Sequence, residues 1–576
     1  MHDATAHSTT SADILRPLRA GHHPWFSRWY QWRPELGTEV VAALIALWWS
    51  VSVNLRFLRA MVVHADLAPV AELALLVVLV LAIWAIHLLL LLVICARRWL
   101  RPVASLLIVA AVLVDAFARR DGVVLDPAMM RNVLHTHTAE AAELLSLSLL
   151  GTVSLHAALP LVVLWRVRLK VRRWPAALAA RLGWLLAALL VLVGALLVAY
   201  QPLASTMRLN RDLRYLVTPA NLVWSGAVAL MGHAREATQL RKVTGADAAF
   251  TPAAQARTRP LLVVLVVGET ARAANWGLNG YTRQTTPQLA ARSVFNFPDT
   301  TSCGTHTEAS LPCMFAPVGR RDYDEARIRG SESLLHMLAR AGVSVQWRDN
   351  QSGCKGVCDG LPQTQAHELP TADCPAGRCL DETLLLGLDP LLRDMAGGHG
   401  THLLVLHQIG NHGPAYHRRY PAAFEQHRPA CRHDDLHRCS RAEIVNAYDN
   451  ALLYTDHVLS RLIDGLQARA AAVDSVMIYV SDHGESLGEA GLYLHGLPWA
   501  IAPDLQKKVP MVMWGSGPSF AGLDIDRACL AARASRPTSH DHLFHTIAGL
   551  LGVHSQEVDP RLDLAAPCRP AGAELH

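Results

Sequence analysis

Apolar residues crowd the first two hundred positions and fall into five runs, at about 38–58, 69–95, 101–118, 149–166 and 178–200. Each run approaches the roughly 20 residues that cross a hydrocarbon core, so five membrane-spanning helices are predicted. A polar arm, 1–36, precedes them without a small-residue cleavage site, so an uncleaved arm is expected instead of a signal peptide. Basic residues flank alternate ends of the runs. Arg16, Arg19, Arg28 and Arg33 precede the first, Arg97, Arg98 and Arg101 separate the second and third, and Arg166, Arg168, Lys170, Arg172 and Arg173 separate the fourth and fifth. Such basic loops stay on the cytoplasmic side. The N-terminus is therefore expected inside, and everything after residue 200 outside. The stretch 215–231 is apolar again but holds Pro219 and Gly226 and is bounded by charge. It is read as a bridging helix on the membrane surface.

From about 259 the pattern changes. Short, mainly apolar runs at 261–267, 402–406 and 475–480 alternate with helical segments, as expected for buried strands of a mostly parallel α/β sheet. The divisions expected are therefore an arm (1–36), a five-helix membrane domain (37–200), a linker (201–258) and an α/β domain (259–576).

Each of the three strands runs into polar chemistry. The first leads to Glu269, the second to His407 and His412, the third to Asp482 and His483. Open parallel sheets build sites at the carboxyl ends of their strands. These residues can therefore converge, and carboxylates with imidazoles suit zinc. A nucleophile is available in Cys303-Gly304-Thr305-His306-Thr307. A metal-bound hydroxyl is an activated one, and on chemistry alone either threonine serves.

Composition changes the picture in two ways. The net charge of +5 comes with no basic stripe in the second half, so no nucleic-acid partner is expected. Of 11 cysteines, ten follow residue 300. Most lie in close pairs whose spacings do not make matched zinc knuckles. Disulfides in an oxidising compartment are expected, agreeing with the outside placement. Near-neighbour pairing is the simplest connectivity, with Cys529 and Cys568 as a candidate fifth pair.

The segments VVGETARAANWGLNGY, CGTHT…LPC, HQIGNHGPAY and YVSDHGESLGEAGLYLHG together resemble the lipid A phosphoethanolamine transferases. That family includes the mobile colistin-resistance enzymes and belongs to the alkaline phosphatase superfamily. The resemblance covers nearly the whole chain. It implies a five-helix membrane domain followed by a periplasmic alkaline phosphatase/sulfatase-like domain. It implies Thr307 as nucleophile and Glu269, Thr307, Asp482 and His483 as ligands of one zinc ion, with room for a second. His412 and His495 would handle the head group and protons, and Lys355 and Gln351 would lie near the substrate. Asn132, Thr136 and Glu140, at steps of four, would form a polar patch for the donor lipid. Disulfides are implied for Cys303–Cys313, Cys354–Cys358, Cys374–Cys379 and Cys431–Cys439. The implied reaction is transfer of phosphoethanolamine from phosphatidylethanolamine to lipid A by a monomeric inner-membrane enzyme, lowering sensitivity to polymyxins. Rival readings are another acceptor (a core sugar, a glucan or a protein), a phosphoglycerol transferase or hydrolase of the superfamily, and a catalytically dead membrane scaffold.

Two features depart from the family pattern. Gln351 stands where some members have Asn, and His306 stands beside the nucleophile where smaller residues are common. His306 is expected to be without a role. His135, His137, His540, His542 and His545 are expected to be surface or packing residues.

Overall fold

A computed structural model describes residues 33–570 except 66–67, 137, 210, 239, 371, 373 and 376–377. The expected arm thus lies outside the described residues apart from its last four, as does His137.

The first half is helical. Its helices are α1 (Thr38–Ser52), α2 (Leu55–Ala65), α3 (Pro69–Ile94), α4 (Arg97–Asp121), α5 (Pro127–His135), α6 (Thr138–Leu144), α7 (Leu147–Arg166), α8 (Trp174–Val198), α9 (Tyr200–Leu209) and α10 (Ala220–Thr238). Among the described residues, α3, α4, α7 and α8 are each long and apolar enough to cross a membrane. The first predicted run is broken: Thr38–Ser52 and Leu55–Val63 meet at 52°, and make a fifth crossing if the bent pair is one span. Asn54 explains the break. Its amide donates to the Trp49 and Thr218 carbonyls and accepts the Thr218 N–H at 2.9 Å. The buried turn is thereby tied both to the end of α1 and to the start of the bridging segment. The apolar part of α10, Ala220–Gly232, is shorter than a span. Three of the basic loops meet at one end of the bundle: Arg97 donates to Leu169, Arg101 to Val167 and Arg172 to Glu39.

The predicted polar face of Asn132, Thr136 and Glu140 is not one helical face. Helix α5 stops at His135, and Thr136 caps it with extended backbone. The Thr136 hydroxyl donates to the Asn132 carbonyl at 2.7 Å, occupying the acceptor a further helical turn would use. Glu140 belongs to α6, and its side chain lies outside the described residues.

The second half is built on an eight-stranded sheet. Its strands are β1 (Leu261–Gly268), β2 (Phe295–Thr301), β3 (Ser344–Asp349), β4 (Gln363–Gln365), β5 (Thr401–His407), β6 (Asp474–Ser481), β7 (Lys508–Gly515) and β8 (Thr538–Ser539). Their spatial order is β8-β2-β7-β6-β1-β5-β3-β4. Only β7 runs antiparallel to its neighbours; all other pairings are parallel. The three strands read from sequence, β1, β5 and β6, are the adjacent centre of this sheet. Strand β1 is buried along its full length because both faces are covered. Leu261, Val263, Leu265 and Val267 join one core, while Leu262, Val264 and Val266 join the other. Truncating one of these leucines to alanine costs about 2–5 kcal/mol. Side chains at the carboxyl ends of these strands therefore stand on a rigid base.

All ten cysteines after residue 300 are paired. The bonds are Cys303–Cys313, Cys354–Cys358, Cys374–Cys379, Cys431–Cys439 and Cys529–Cys568, and Cys95 is free and buried.

Candidate active site

Adjacent strand ends bring the predicted ligands together. Glu269 follows β1, and Asp482 and His483 follow β6; all three are fully buried. One oxygen or nitrogen from each lies within 4.8 Å of the others, the one such group among the described residues. Thr307 opens helix α11 (Thr307–Met314), and its hydroxyl lies 3.1 Å from both Glu269 oxygens and 3.5 Å from His483 Nε2. Gln351 Nε2 also donates to Glu269, at 3.1 Å.

The turn carrying Glu269 is held under strain. Thr270, a β-branched residue, sits at φ 52°, a conformation that persists only where surroundings impose it. The Tyr448 hydroxyl from helix α12 (Arg441–Ala468) donates to the Thr270 carbonyl at 2.6 Å, and the Ala271 N–H donates to Ser481 at 2.8 Å. Gly410 must be glycine for the same reason: at φ 49°, a Cβ would meet the Glu269 carbonyl oxygen at 2.7 Å. The Asp381 carboxylate fixes that loop by accepting the Ile409 and Gly410 N–H groups.

Two carboxylates and one imidazole share this buried space, and each shifts the others. Burial and the charge of Glu269 push Asp482 up to about 7. Burial opposes charge on the His483 ring, but Asp482 and Glu269 outweigh it and raise its pKa to about 9. Asp482 Oδ2 accepts no hydrogen bond although buried, which is costly unless something else satisfies it. Two carboxylates, an imidazole nitrogen and a hydroxyl form the donor set of a four-coordinate zinc site. These residues fit that ion.

His483, His495 and His412 form a row: ring centres are 4.3 Å apart for the first two and 5.6 Å for the last two. His495 Nδ1 pairs with Glu485 at 3.1 Å. Burial and the neighbouring His483 lower the His495 pKa, and the tautomer with Nδ1–H on the carboxylate leaves Nε2 to exchange a proton.

Lys355 donates to Ser352 Oγ at 2.5 Å and lies 4.0 Å from Glu308. It lines a cavity of about 370 Å³ shared with His135, Ser352, Glu308 and Arg329. Asn132 and Thr136 make no described hydrogen bond to the cluster. Their helix α5 does dock on the nucleophile's helix, through His135 to Glu308 at 3.2 Å and Arg131 to Glu325.

Two histidines set aside in the sequence hold this site. His540 Nδ1 accepts the Cys303 N–H and its Nε2–H donates to the Ser481 carbonyl, both at 3.0 Å. It thus staples the nucleophile loop to the end of β6 in one tautomer, and burial pushes its pKa down to about 3, so it stays neutral. His135 reaches Glu308 from the membrane side. Neither role had a local signal, since each depends on a contact across more than a hundred residues. His407, the first histidine at the end of the second predicted strand, turns to Asp349 at 2.7 Å.

Comparison with known proteins agrees with this geometry. A family model for phosphoethanolamine transferase EptA/EptB matches residues 83–233, and a sulfatase model matches 262–553. The chain is 36% identical over 546 residues to phosphoethanolamine transferase EptA of Escherichia coli K12, covering 93% of this chain and 98% of that one. It is 35% identical over 547 residues to the phosphatidylethanolamine transferase Mcr-1 of Escherichia coli, with 93% and 98% covered. Among solved structures it resembles the integral membrane protein lipooligosaccharide phosphoethanolamine transferase A of Neisseria meningitidis. The TM-score is 0.85 at 36% identity, covering 93% of this chain and 100% of that one.

Proposed function

The chain belongs to the lipid A phosphoethanolamine transferase family, and from that premise we propose that it moves phosphoethanolamine from phosphatidylethanolamine to a lipid A phosphate through a covalent intermediate on Thr307. The observation that carries this reading is the Thr307 hydroxyl set against Glu269 and His483 in a buried cluster of metal-ligating groups.

Glu269, Thr307, Asp482 and His483 would hold one zinc ion, with His412 and His495 near enough to serve a second. Bound there, zinc lowers the pKa of the Thr307 hydroxyl and neutralises charge on the phosphoryl oxygens. Glu269 orients the hydroxyl and accepts its hydrogen bond. Thr307 Oγ forms a bond to phosphorus as the bond to the diacylglycerol oxygen breaks. The Thr307 proton passes to Nε2 of His495, and the diacylglycerol oxygen leaves with that proton, relayed along the row of His495 and His412. An acceptor phosphate oxygen then attacks phosphorus as the bond to Thr307 Oγ breaks, and Thr307 takes up the proton that the acceptor phosphate gives to the same row of histidines. His495, steered by Glu485, receives and returns protons through Nε2. Lys355 and Gln351 hold the phosphate and the head group. Asn132, Thr136 and Glu140 steady the donor where α5 and α6 meet the catalytic domain.

The basic end of the helical bundle faces the cytoplasm in this reading. Five spans, counting the bent pair as one, then carry the disulfide-rich domain to the periplasm of the inner membrane. The added ammonium masks negative charge on lipid A and weakens attraction of polymyxins. The enzyme acts as a monomer.

The test is to incubate the purified full chain with phosphatidylethanolamine in micelles and search its peptides for a phosphoethanolamine adduct. An adduct on Thr307, with diacylglycerol released in step, is the expected result. Diacylglycerol release without any adduct contradicts the two-step path.

A further inference from the structure

A second cavity lies in the membrane half, away from the catalytic cluster. Helices α2, α3, α8 and α9 and the start of α10 enclose about 400 Å³. Its walls include Phe57, Ile83, Ala195, Ala199 and Leu203. The two alanines, small and themselves buried, leave the space open. At one end the lining turns polar and aromatic, with Arg214, Tyr215 and Trp224. Water has no reason to fill the apolar part, because it would find no partners there. An empty groove would forfeit dispersion contacts along its walls. In a bilayer, hydrocarbon is the filling at hand.

The polar end selects what the hydrocarbon belongs to. Arg214 is exposed, and no carboxylate pairs with it among the described residues. Its guanidinium donates to the Tyr215 hydroxyl at 2.9 Å and lies over that ring at 4.7 Å. Trp224 is 62% exposed, and exposed Trp with Tyr marks head-group depth on membrane proteins. A guanidinium with free donors at that depth matches phosphate. The same segment reaches the catalytic domain: Tyr215 and Leu216 pack with Leu492 and Leu497, which flank His495 in sequence.

We propose that this groove is a glycerophospholipid site, taking one acyl chain between the helices and the lipid phosphate on Arg214 and Tyr215. The site is separate from the transfer chemistry, and it holds a lipid at the segment that supports the His495 loop.

The test uses the full chain in vesicles of phosphatidylethanolamine and phosphatidylglycerol with a trace of phosphatidylcholine bearing a diazirine in one acyl chain. Peptides are mapped after irradiation. Label at the groove walls should exceed, severalfold, label at Leu155 and Leu159, which face outward on α7 at 75% and 69% exposure. Ala199→Phe, which fills the groove, should cut groove label severalfold and leave α7 label unchanged. Equal labelling of groove and α7, or groove label that survives Ala199→Phe, overturns the acyl-chain site. Should Ala199→Phe misfold, Arg214→Gln carries the test at an exposed position. Native mass spectrometry after detergent dilution should show severalfold less retained phospholipid than wild type. Retention equal to wild type overturns the phosphate assignment.

Discussion

The Thr307 hydroxyl lies 3.1 Å from both carboxylate oxygens of Glu269, across 38 residues of sequence. A strand end supplies one group and a helix start the other, so the pair is fixed by the sheet and by the loop that His540 pins.

Metal removal should expose the repulsion between the buried carboxylates of Asp482 and Glu269. A chelator should lower the melting temperature of the wild type, and added zinc should restore it. Asp482→Asn should lose zinc and stop responding to either. In chelator the variant should be at least as stable as wild type, because it lacks a buried carboxylate that burial and Glu269 disfavour. Thermal scans paired with zinc analysis check this; a variant that still binds zinc stoichiometrically contradicts the ligand assignment.

Glu308 should set part of the acid limb of stability. Burial alone would raise its pKa, but His135, Arg329 and Lys355 bring it down from 4.5 to about 2. The ionised form is therefore favoured by the fold. Its contribution is complete above about pH 4.5 and disappears as pH falls toward about 2. Glu308→Gln should cost about 1–3 kcal/mol near neutrality by removing a buried carboxylate from Arg329, which keeps only Glu325 among the described residues. Its stability should also change less across that acid window than the wild type's, as read by denaturant titration at each pH.

His540 acts at a distance, as a positioning residue. His540→Gln should leave zinc content near wild type while lowering diacylglycerol release by about a hundredfold, the scale expected from a displaced nucleophile. Loss of zinc together with activity would instead show that His540 is needed to assemble the whole cluster.

The bond Cys303–Cys313 closes the nucleophile loop with a separation of 10 residues. Replacing both cysteines with serine should cost about 2–3 kcal/mol by loop-closure entropy. Activity should fall further than stability requires, since α11 begins inside that loop. Comparing kcat at a temperature where the variant is fully folded separates the two effects.

Much of this was legible in the sequence because it depends on local pattern. Strands buried on both faces are written as unbroken apolar runs, and β1, β5 and β6 could be found with the groups at their ends. Cysteines close in sequence have few partners to choose from. What could not be read depends on distant contacts. Asn54 bends the first span by binding Thr218, and nothing in the apolar run announces it. His540 and His135 gain their roles from Cys303 and Glu308. The regular spacing of Asn132, Thr136 and Glu140 implied one helical face, but the Thr136 hydroxyl ends that helix by taking its own backbone acceptor.

The most direct test is a mass spectrum of lipid A from a Gram-negative host expressing the full chain, beside the Thr307→Ala variant at matched expression. The account predicts a phosphoethanolamine adduct on lipid A with wild type and none with the variant. An adduct with both, or with neither from well-folded protein, would contradict it.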